Sequence, residues 1–269
     1  MKIEKIKIID NVNNLSQCSN SERIYFGNEF CENKLHSLKD LDYIVSNVNC
    51  KKITLVYPFL TQKGLNKLIK QLPFIVKHNS IFDEIVFNDW GLFYFLKNNY
   101  SNFKLILGRL LTKQKTDPFA NEIISDNQHI VASDNNIFIP RKVSNDTKLY
   151  FSQTLITSKI FQEYLIKNDI TRVEIDNVIW PMNISLPKEI KVSLYYPNIK
   201  ITTTRFCGYL NMLTDNCSKQ CETKTIILNK YRSPYKYMIK GNTVYYKNKT
   251  LPNKQNLEKN SIDRIILND

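Results

Sequence analysis

The sequence lacks any run of roughly 20 apolar residues, the length that a membrane-spanning helix requires. Its first fourteen residues alternate charged residues with isoleucine and do not build the apolar segment of a secretory signal. We therefore expect a soluble, cytoplasmic protein without a membrane span. The chain has 269 residues, of which 42% are hydrophobic, and this is enough to bury one large core. We expect residues 1–269 to form a single domain.

Glycine is scarce, with 6 residues in the whole chain, and no glycine-rich turn follows a strand-like segment. The sequence also contains no GxSxG, HExxH, P-loop or dinucleotide-binding motif. Hydrolase, zinc-peptidase, nucleotide-binding and flavin functions therefore lack the motifs on which they usually depend.

Acidic residues are outnumbered by basic ones: 38 Lys and Arg against 25 Asp and Glu give a formal net charge of +13. Such an excess is typical of proteins that bind a polyanion such as RNA, because lysine and arginine neutralise phosphates and release counterions. The lysines are scattered along a chain that is also rich in Asn and Ile, which a genome-wide compositional bias would explain. Both interpretations of the charge stay open.

Strand-like apolar runs alternate with amphipathic helical segments along most of the chain. The predicted strands lie at 23–27, 52–57, 84–87, 104–109, 149–152, 172–176, 191–196 and 262–267. The predicted helices lie at 35–48, 61–77, 91–98 and 158–167, with Thr61 and Asp89 as the caps of the second and third. This alternation predicts parallel strands joined by right-handed crossovers. Without a glycine-rich turn, it fits a closed (β/α) barrel of the TIM type better than an open doubly wound sheet.

Two regions depart from the alternation. Residues 112–148 are rich in Asn, Asp, Ser and Pro, which is typical of an inserted loop or hairpin, and such an insertion often covers a site. Residues 222–269 form a C-terminal extension, in which the apolar segments 235–239 and 243–246 flank a three-residue hairpin signal. The predicted fold is an α/β protein with one TIM-like barrel, a loop insertion and a C-terminal β-hairpin.

Four of the six cysteines have a spacing that predicts a metal centre. Cytoplasmic cysteines are typically metal ligands, catalytic groups or buried apolar residues, because the compartment keeps thiols reduced. Cys207, Cys217 and Cys221 lie within fifteen residues, just after a strand-like segment at 200–204, and Cys31 lies four residues after the first predicted strand. The C-terminal ends of barrel strands share one face, and early and late strands become neighbours on closure. We therefore expect these four thiols to meet.

Four thiolates suit either a tetrahedral zinc ion or a 4Fe-4S cluster. Zinc ribbons usually carry two CxxC-like pairs, whereas here one ligand is remote and the others are separated by nine and three residues. This spacing favours the cluster over zinc, and a group of cysteines that holds no metal is the remaining alternative. Cys18 and Cys50 have no partner at ligand spacing, and burial is the better account of both.

Four further side chains are candidates for substrate binding. Arg109 and Lys113 follow a predicted strand and could bind a carboxylate or phosphate, Arg109 through a bidentate fork, although a solvated basic loop is the alternative. Asn88 ends another strand and could position substrate or belong to a turn. Arg205, two residues before Cys207, could tune the metal centre, pair with substrate or stabilise its loop. The sequence assigns no catalytic residue.

Several short motifs, taken in order, resemble the collagenase-like peptidase U32 family. These motifs are RIYFG at 23–27 followed by Cys31, VFNDWG at 86–91, GRLLTKQKTDP at 108–118, the cysteine group at 207–221 and IDRII at 262–266. Within that family, the similarity is to the short, single-domain UbiU/UbiV-like branch, and it extends over about residues 22–268. The chain lacks the cysteine-dense signature of the longer, peptidase-type members.

The resemblance implies a 4Fe-4S cluster on Cys31, Cys207, Cys217 and Cys221, which take the places of the four cluster cysteines of that branch. It also implies oxygen-independent hydroxylation of an aromatic small molecule or quinone precursor, by a hydroxylase or a hydroxylase subunit. The expected partners are an anionic small-molecule substrate or oxygen donor and a paralogous subunit of the same family. Hydroxylation of a tRNA or rRNA base, or peptidase activity, are the alternatives.

Overall fold

A computed structural model describes residues 2–18, 21–124, 129–131, 138–140, 143–207, 209–211, 216–229 and 235–268. The first part of the chain comprises β1 (Glu4–Ile9), β2 (Arg23–Gly27), α1 (Leu38–Asn47), β3 (Lys52–Tyr57), α2 (Gln62–Lys77), β4 (Phe82–Phe87), α3 (Trp90–Asn99) and β5 (Lys104–Leu107). Then follow α4 (Phe119–Ile124), β6 (His129–Val131), β7 (Phe138–Pro140), α5 (Asn145–Ser152), α6 (Lys159–Lys167), β8 (Arg172–Asp176) and β9 (Lys191–Tyr196).

The last part comprises β10 (Asn198–Thr203), β11 (Leu210–Asn211), β12 (Asn216–Cys217), β13 (Ile226–Asn229), β14 (Lys236–Lys240), β15 (Thr243–Lys247), α7 (Lys254–Lys259) and β16 (Ile262–Leu267). Short 3-10 helices occupy Val12–Cys18, Glu32–Lys34, Leu155–Thr157 and Gln220–Glu222. None of the helices in these described ranges combines the length and apolar character needed to cross a bilayer.

Eight parallel strands form a closed barrel in the order β1, β2, β3, β4, β5, β8, β9 and β16, and β16 pairs back onto β1. This confirms the predicted (β/α) barrel. The seam between β5 and β8 is narrow, since Leu107 and Val173 are its one described register pair. Gln114 reinforces it: its side chain exchanges two hydrogen bonds with the backbone of Asp176, at 2.8 and 3.1 Å.

The barrel strands are apolar on both faces because each face is buried. Alternate residues of the strands, such as Tyr25, Val56 and Val86, pack together in the barrel interior. The intervening residues, such as Leu55 and Ile85, pack outward against the surrounding helices. The period-2 alternation of a strand thus fills two separate cores.

A buried ion network braces the barrel in the N-terminal half of its strands. Arg264 on β16 donates to Glu84 on β4 at 2.8 Å and to Glu4 on β1 at 2.8 Å. Arg23 lies 3.1 Å from the same Glu84 carboxylate. Burial alone would raise the pKa of Glu84, but the two arginines outweigh it and hold that pKa at about 2. The network therefore stays charged at neutral pH.

The helix starts follow the capping rules read from the sequence. Thr61 and Asp89 accept hydrogen bonds from Gly64 N and Leu92 N, as predicted for α2 and α3. Helix α1 begins at Leu38, three residues later than predicted, because Ser37 and Asp40 form a capping box. The local hydrogen bonds, and not the apolar period, set this boundary.

Two strand assignments were wrong. The first barrel strand is β1 and not residues 23–27. In β1 lysines alternate with isoleucines, and this charged segment was not recognised as a strand. Residues 149–152, predicted as a strand, belong to helix α5, whose cap Ser144 accepts a hydrogen bond from Thr147 N. Leu149 is 53% exposed, so the apolar run there does not mark a core strand.

The two departures from the barrel pattern have different structures. In the region 112–148, α4 and the antiparallel pair β6–β7 are described, while 125–128, 132–137 and 141–142 lie outside the described residues. The predicted C-terminal hairpin is confirmed as β14–β15. It belongs to a four-stranded antiparallel sheet, ordered β10, β15, β14 and β13, which is inserted between barrel strands β9 and β16. The predicted strand at 200–204 is β10 of this sheet.

Gly27 at the end of β2 provides a test of the barrel geometry. Its φ is +133°, and a Cβ there would lie 2.2 Å from the Val56 carbonyl oxygen. Gly27→Ala is expected to lower the free energy of unfolding by at least about 2 kcal/mol, measured by urea denaturation. Gly91→Ala in α3 is the comparison, because its Cβ would lie 2.9 Å from Asp89 Oδ1, the end of the side chain that caps the helix. This side chain can shift more easily than the backbone carbonyl of Val56, so the substitution should cost less stability. An equal effect of both substitutions would contradict this strand-end geometry.

Candidate functional site

A cavity of about 320 Å³ lies at the C-terminal end of the barrel. It is bordered by the ends of β1 and β2 at Ile9 and Gly27, by the residues that follow β9 and β16, Asn198 and Asn268, and by the β14–β15 hairpin. This is the face at which (β/α) barrels carry their active sites. Arg109 and Cys221 both line the cavity, so it connects a buried charge cluster with one of the cysteines.

The buried charge cluster is centred on Arg109, whose side chain is almost completely enclosed. Its Nε and Nη2 donate to the two carboxylate oxygens of Glu29, each at 2.8 Å, and its Nη1 donates to Asp176 Oδ1. The guanidinium also lies 3.9 Å from the centre of the Tyr195 ring. Burial alone would lower the pKa of Arg109, but Asp176 and Glu29 raise it well above the usual value.

Lys200 adds a second cation beside Asp176. Its backbone N donates to Asp176 Oδ1 at 3.1 Å, and burial lowers the pKa of its ammonium group despite the nearby carboxylates. Asp176 Oδ2 has no hydrogen-bond partner among the described residues. Arg109 and Lys200 thus face Glu29 and Asp176, which leaves the inner end of the cavity close to neutral.

Glu174, two residues before Asp176 on β8, is fully buried below this cluster. Tyr195 Oη donates to its Oε2 at 3.0 Å, and its Oε1 has no partner within the described ranges. Burial, together with the nearby charge of Glu29, raises the pKa of Glu174 to about 8. A substantial fraction of this carboxyl group is therefore protonated at neutral pH.

Cys221 lines the cavity, and the other three candidate cysteines lie on the segments around it, within electrostatic range of Cys31 or Cys221. All six cysteines lie in described ranges and none forms a disulfide. Burial raises the pKa of the Cys31 thiol, and charge repulsion from Cys217 and Cys221 raises it further. Burial also raises the pKa of Cys221, with Lys34 opposing and Cys207 and Cys217 adding to the rise. The loop after β2 and the segment after β10 thus meet within electrostatic range.

The turn of the β14–β15 hairpin joins the cysteine-bearing segments. Asn242 Nδ2 donates to Phe30 O at 2.7 Å, next to Cys31, and to Thr204 O at 2.6 Å, three residues before Cys207. Gly241 has a φ of +66°, and a Cβ at this position would lie 3.3 Å from Cys221 Cβ. The sequence marked this turn as a hairpin but did not indicate that it contacts the cysteines.

The Cys31 loop has its own local anchor. Asn28 Oδ1 accepts hydrogen bonds from Phe30 N at 3.0 Å and from Cys31 N at 2.9 Å, which forms a tight turn directly after β2. Glu29, inside this turn, is the residue held by Arg109. The turn chemistry and the ion cluster together fix where Cys31 lies.

The four predicted substrate-binding residues occupy different environments. Arg109 lines the cavity, but its Nε and Nη2 already donate hydrogen bonds to the Glu29 carboxylate, so this pair of donors is not free for a substrate. Asn88 is buried, and its side chain donates to Tyr57 O at 3.0 Å and accepts from Leu110 N at 3.2 Å. Lys113 is exposed and has a φ of 53°. Arg205 is exposed, with its guanidinium 3.8 Å from the centre of the Phe59 ring.

The cysteine set fits an iron-sulfur cluster in number and donor type, because soft thiolates are the usual ligands of such clusters. Across the described ranges, however, no group of three or more His, Cys, Asp or Glu side chains is arranged to hold a metal ion. The thiols therefore influence one another electrostatically without standing at ligand spacing.

Comparison with models of known protein families, with curated proteins and with solved structures gives no match to this chain. The resemblance to the U32 family therefore rests on the short motifs and the cysteine spacing. In the structure, RIYFG forms β2 and IDRII lies within β16.

Replacing Arg109 tests the buried ion cluster. Arg109→Gln leaves Glu29 and Asp176 buried without their main cation, so the free energy of unfolding is expected to fall by about 3–5 kcal/mol in urea denaturation. The control is Lys113→Gln, which removes an exposed charge from the same loop and is expected to change stability by less than about 0.5 kcal/mol. Similar stabilities for the two variants would contradict the structural role of Arg109.

Glu174 predicts a pH-dependent stability. Its pKa of about 8 in the folded protein exceeds the value of 4.5 for an unperturbed glutamate, so unfolding releases a proton between these values. Its contribution to the free energy of unfolding is therefore complete below about pH 4.5 and is lost as the pH rises through about 8. Glu174→Gln keeps the side-chain shape and should exceed the parent in stability by a few kcal/mol at about pH 8.

Urea denaturation near pH 5 and near pH 8 measures this difference for Glu174→Gln and for the parent. Glu189→Gln is the matched control, since Glu189 is exposed on the loop before β9. The gain should appear only at the higher pH and only for Glu174. A gain of the same size at both pH values would show that Glu174 does not carry the proton.

Proposed function

We propose that this protein binds a 4Fe-4S cluster on Cys31, Cys207, Cys217 and Cys221 and supports the oxygen-independent hydroxylation of a small aromatic molecule, as a hydroxylase or as a subunit of one. The observation that supports the proposal is the approach of four thiols from distant parts of the sequence. Cys31 and Cys221 are 190 positions apart in the sequence, yet one hairpin turn contacts both segments: Asn242 donates to Phe30 O, next to Cys31, and Gly241 lies against Cys221.

The cluster would supply one-electron transfer next to the cavity. The protein's own residues would fix the charges around the substrate and exclude water from it. Arg109 holds Glu29 and Asp176 in fixed orientations, so the charges at the inner wall do not reorganise when a substrate enters. Tyr195 occupies Oε2 of Glu174, which leaves Oε1 to carry the carboxyl proton. Phe30 and Tyr245, with ring centres 5.7 Å apart, contribute apolar walls that limit access of water.

The cavity favours a small molecule over RNA as the substrate. Its volume of about 320 Å³ lies at the lower end of the range of about 300–1,000 Å³ found for small-molecule sites. The β14–β15 hairpin borders it, so a nucleotide in RNA would have to be extruded from its strand to enter.

Purification without oxygen tests the proposal most directly. The parent protein should contain about four irons and four sulfides per chain, with broad visible absorption that dithionite bleaches. Cys31→Ala and Cys217→Ala should each lose most of the iron and the absorption. Cys50→Ala is the matched control, because Cys50 is half-buried and its thiol donates to Lys52 O at 3.3 Å, away from the cavity.

Circular dichroism of each variant would show that the barrel is still folded. A parent protein that binds one zinc without visible absorption, or that binds no metal, would overturn the cluster and with it the redox function. Equal iron contents in Cys50→Ala and Cys217→Ala would overturn the assignment of these cysteines as ligands. With the cluster established, hydroxylation is measured by mass spectrometry of phenolic substrates incubated anaerobically with the protein and an organic oxygen donor, because inserting an oxygen atom into a C–H bond oxidises the substrate by two electrons and the donor must be reduced by two.

A further inference from the structure

Lys200 on β10 has no partner for its ammonium group, although charged residues surround it. Arg109, the other cation of the buried cluster, pairs with both Glu29 and Asp176. By contrast, no hydrogen bond or ion pair joins the Lys200 Nζ to a residue in the described part of the chain. A cation that is partly removed from water usually has such a partner, because an ion pair or hydrogen bond offsets the cost of burying its charge.

The strand register directs the Lys200 side chain toward the cavity. Lys200 pairs with Tyr245 across β10 and β15, and paired residues of antiparallel strands point to the same face of a sheet. Tyr245 lines the cavity, and so does Asn198, which lies two residues before Lys200 and therefore on the same face. Lys200 lies next to these lining residues, and its Nζ is not fully enclosed. With no hydrogen bond holding the nitrogen, the side chain can turn toward a molecule in the cavity.

The surroundings of Lys200 favour the uncharged form of its amine. Burial lowers the pKa of the ammonium group, and the positive charges of Arg109 and Lys113 add to this effect, while Asp176 and Glu29 oppose it. At neutral pH a larger fraction of this amine is therefore uncharged than in an exposed lysine. The uncharged amine is the form that attacks a carbonyl carbon, and desolvation or a neighbouring cation is the usual means of activating a reactive lysine.

We propose that Lys200 is a nucleophile that forms an imine with the carbonyl carbon of a small aldehyde or ketone bound in the cavity. The nitrogen adds to the carbonyl carbon, and the C–O bond breaks as the C=N bond forms. Both hydrogens of the amine leave with the oxygen as water, so the step needs no oxidant or reductant. The inference goes beyond the proposed function, because none of the cysteines takes part in this step.

Asp176 is positioned to move a proton during imine formation. Its Oδ1 accepts a hydrogen bond from the Lys200 backbone N at 3.1 Å, so its carboxylate lies against the same segment. Its Oδ2 has no hydrogen-bond partner among the described residues. This oxygen can accept a proton from the attacking nitrogen and return it to the departing oxygen.

Reductive trapping tests the inference. The protein is incubated at neutral pH with acetaldehyde, acetone or pyruvate and with sodium cyanoborohydride, which reduces an imine to a stable secondary amine, and peptide mass spectrometry locates the modified lysines. With at least one of these probes, Lys200 should be modified at least about tenfold faster than the exposed Lys191 and Lys236. Its rate should also saturate as the probe concentration rises, because the probe binds first, whereas the rate at Lys191 should rise in proportion.

The variant Lys200→Arg keeps a positive charge but cannot form an imine, and Lys191→Arg is the matched control. The fast, saturable modification should disappear in the first variant and remain in the second, with circular dichroism showing that both are folded. Modification of Lys200 no faster than that of Lys191 with all three probes would overturn the inference. A fast, saturable modification that persists in Lys200→Arg would also overturn it.

Trapping in the Cys217→Ala protein separates this inference from the proposed function. Selective modification of Lys200 in this variant and in a metal-free parent would support the imine whether or not a cluster is bound. An iron-containing parent in which Lys200 is not selectively modified would leave the cluster in place and overturn the imine.

Discussion

The mouth of the barrel depends on the ion cluster that Arg109 forms with Glu29 and Asp176. A guanidinium this deeply buried is tolerated only because two carboxylates neutralise it and hydrogen bonds satisfy its donors. Glu29 follows β2 and Asp176 ends β8, and three strands separate β2 from β8 in either direction around the barrel. One side chain therefore ties opposite sides of the mouth together. Because Glu29 lies two residues before Cys31, the same interaction fixes the loop that carries the first candidate ligand.

The opposite end of the barrel repeats this arrangement with other residues. Arg264 on β16 reaches Glu84 on β4, and these two strands are again on opposite sides of the barrel. The two networks differ in their surroundings. Arg264 and Glu84 lie among strand residues in the N-terminal half of the barrel, whereas Arg109 borders an open cavity. The barrel is therefore cross-braced at both ends, and the brace formed by Arg109 borders the cavity.

The sequence predicted the parts of the fold that follow from short-range chemistry. Alternating apolar runs located most barrel strands, and the caps Thr61 and Asp89 are where the hydrogen-bonding rules put them. Strand β1 was missed because its isoleucines alternate with lysines, so it lacks the continuous apolar run of the other barrel strands. Its place in the barrel depends on pairing with β16, which is distant in the sequence. Arg109 was recognised as a basic group after a strand, but its partners are 80 and 67 residues away. Spacing along the chain carries no information about such contacts.

The cysteine spacing predicted a metal site, which stays a prediction, and it did not indicate the hairpin turn that contacts the segments carrying these cysteines. Most barrel strands are linked by helices, but the connection from β9 to β16 contains an antiparallel sheet before helix α7, and the hairpin turn of this sheet borders the cavity at the barrel mouth. There Asn242 bonds to the backbone beside Cys31 and near Cys207, and Gly241 packs on Cys221. A helix in this position would pack on the outside of the barrel and could not reach the three segments. This departure from the repeating pattern thus places the hairpin turn between the segments that carry Cys31 and Cys207, beside the cavity that Cys221 lines.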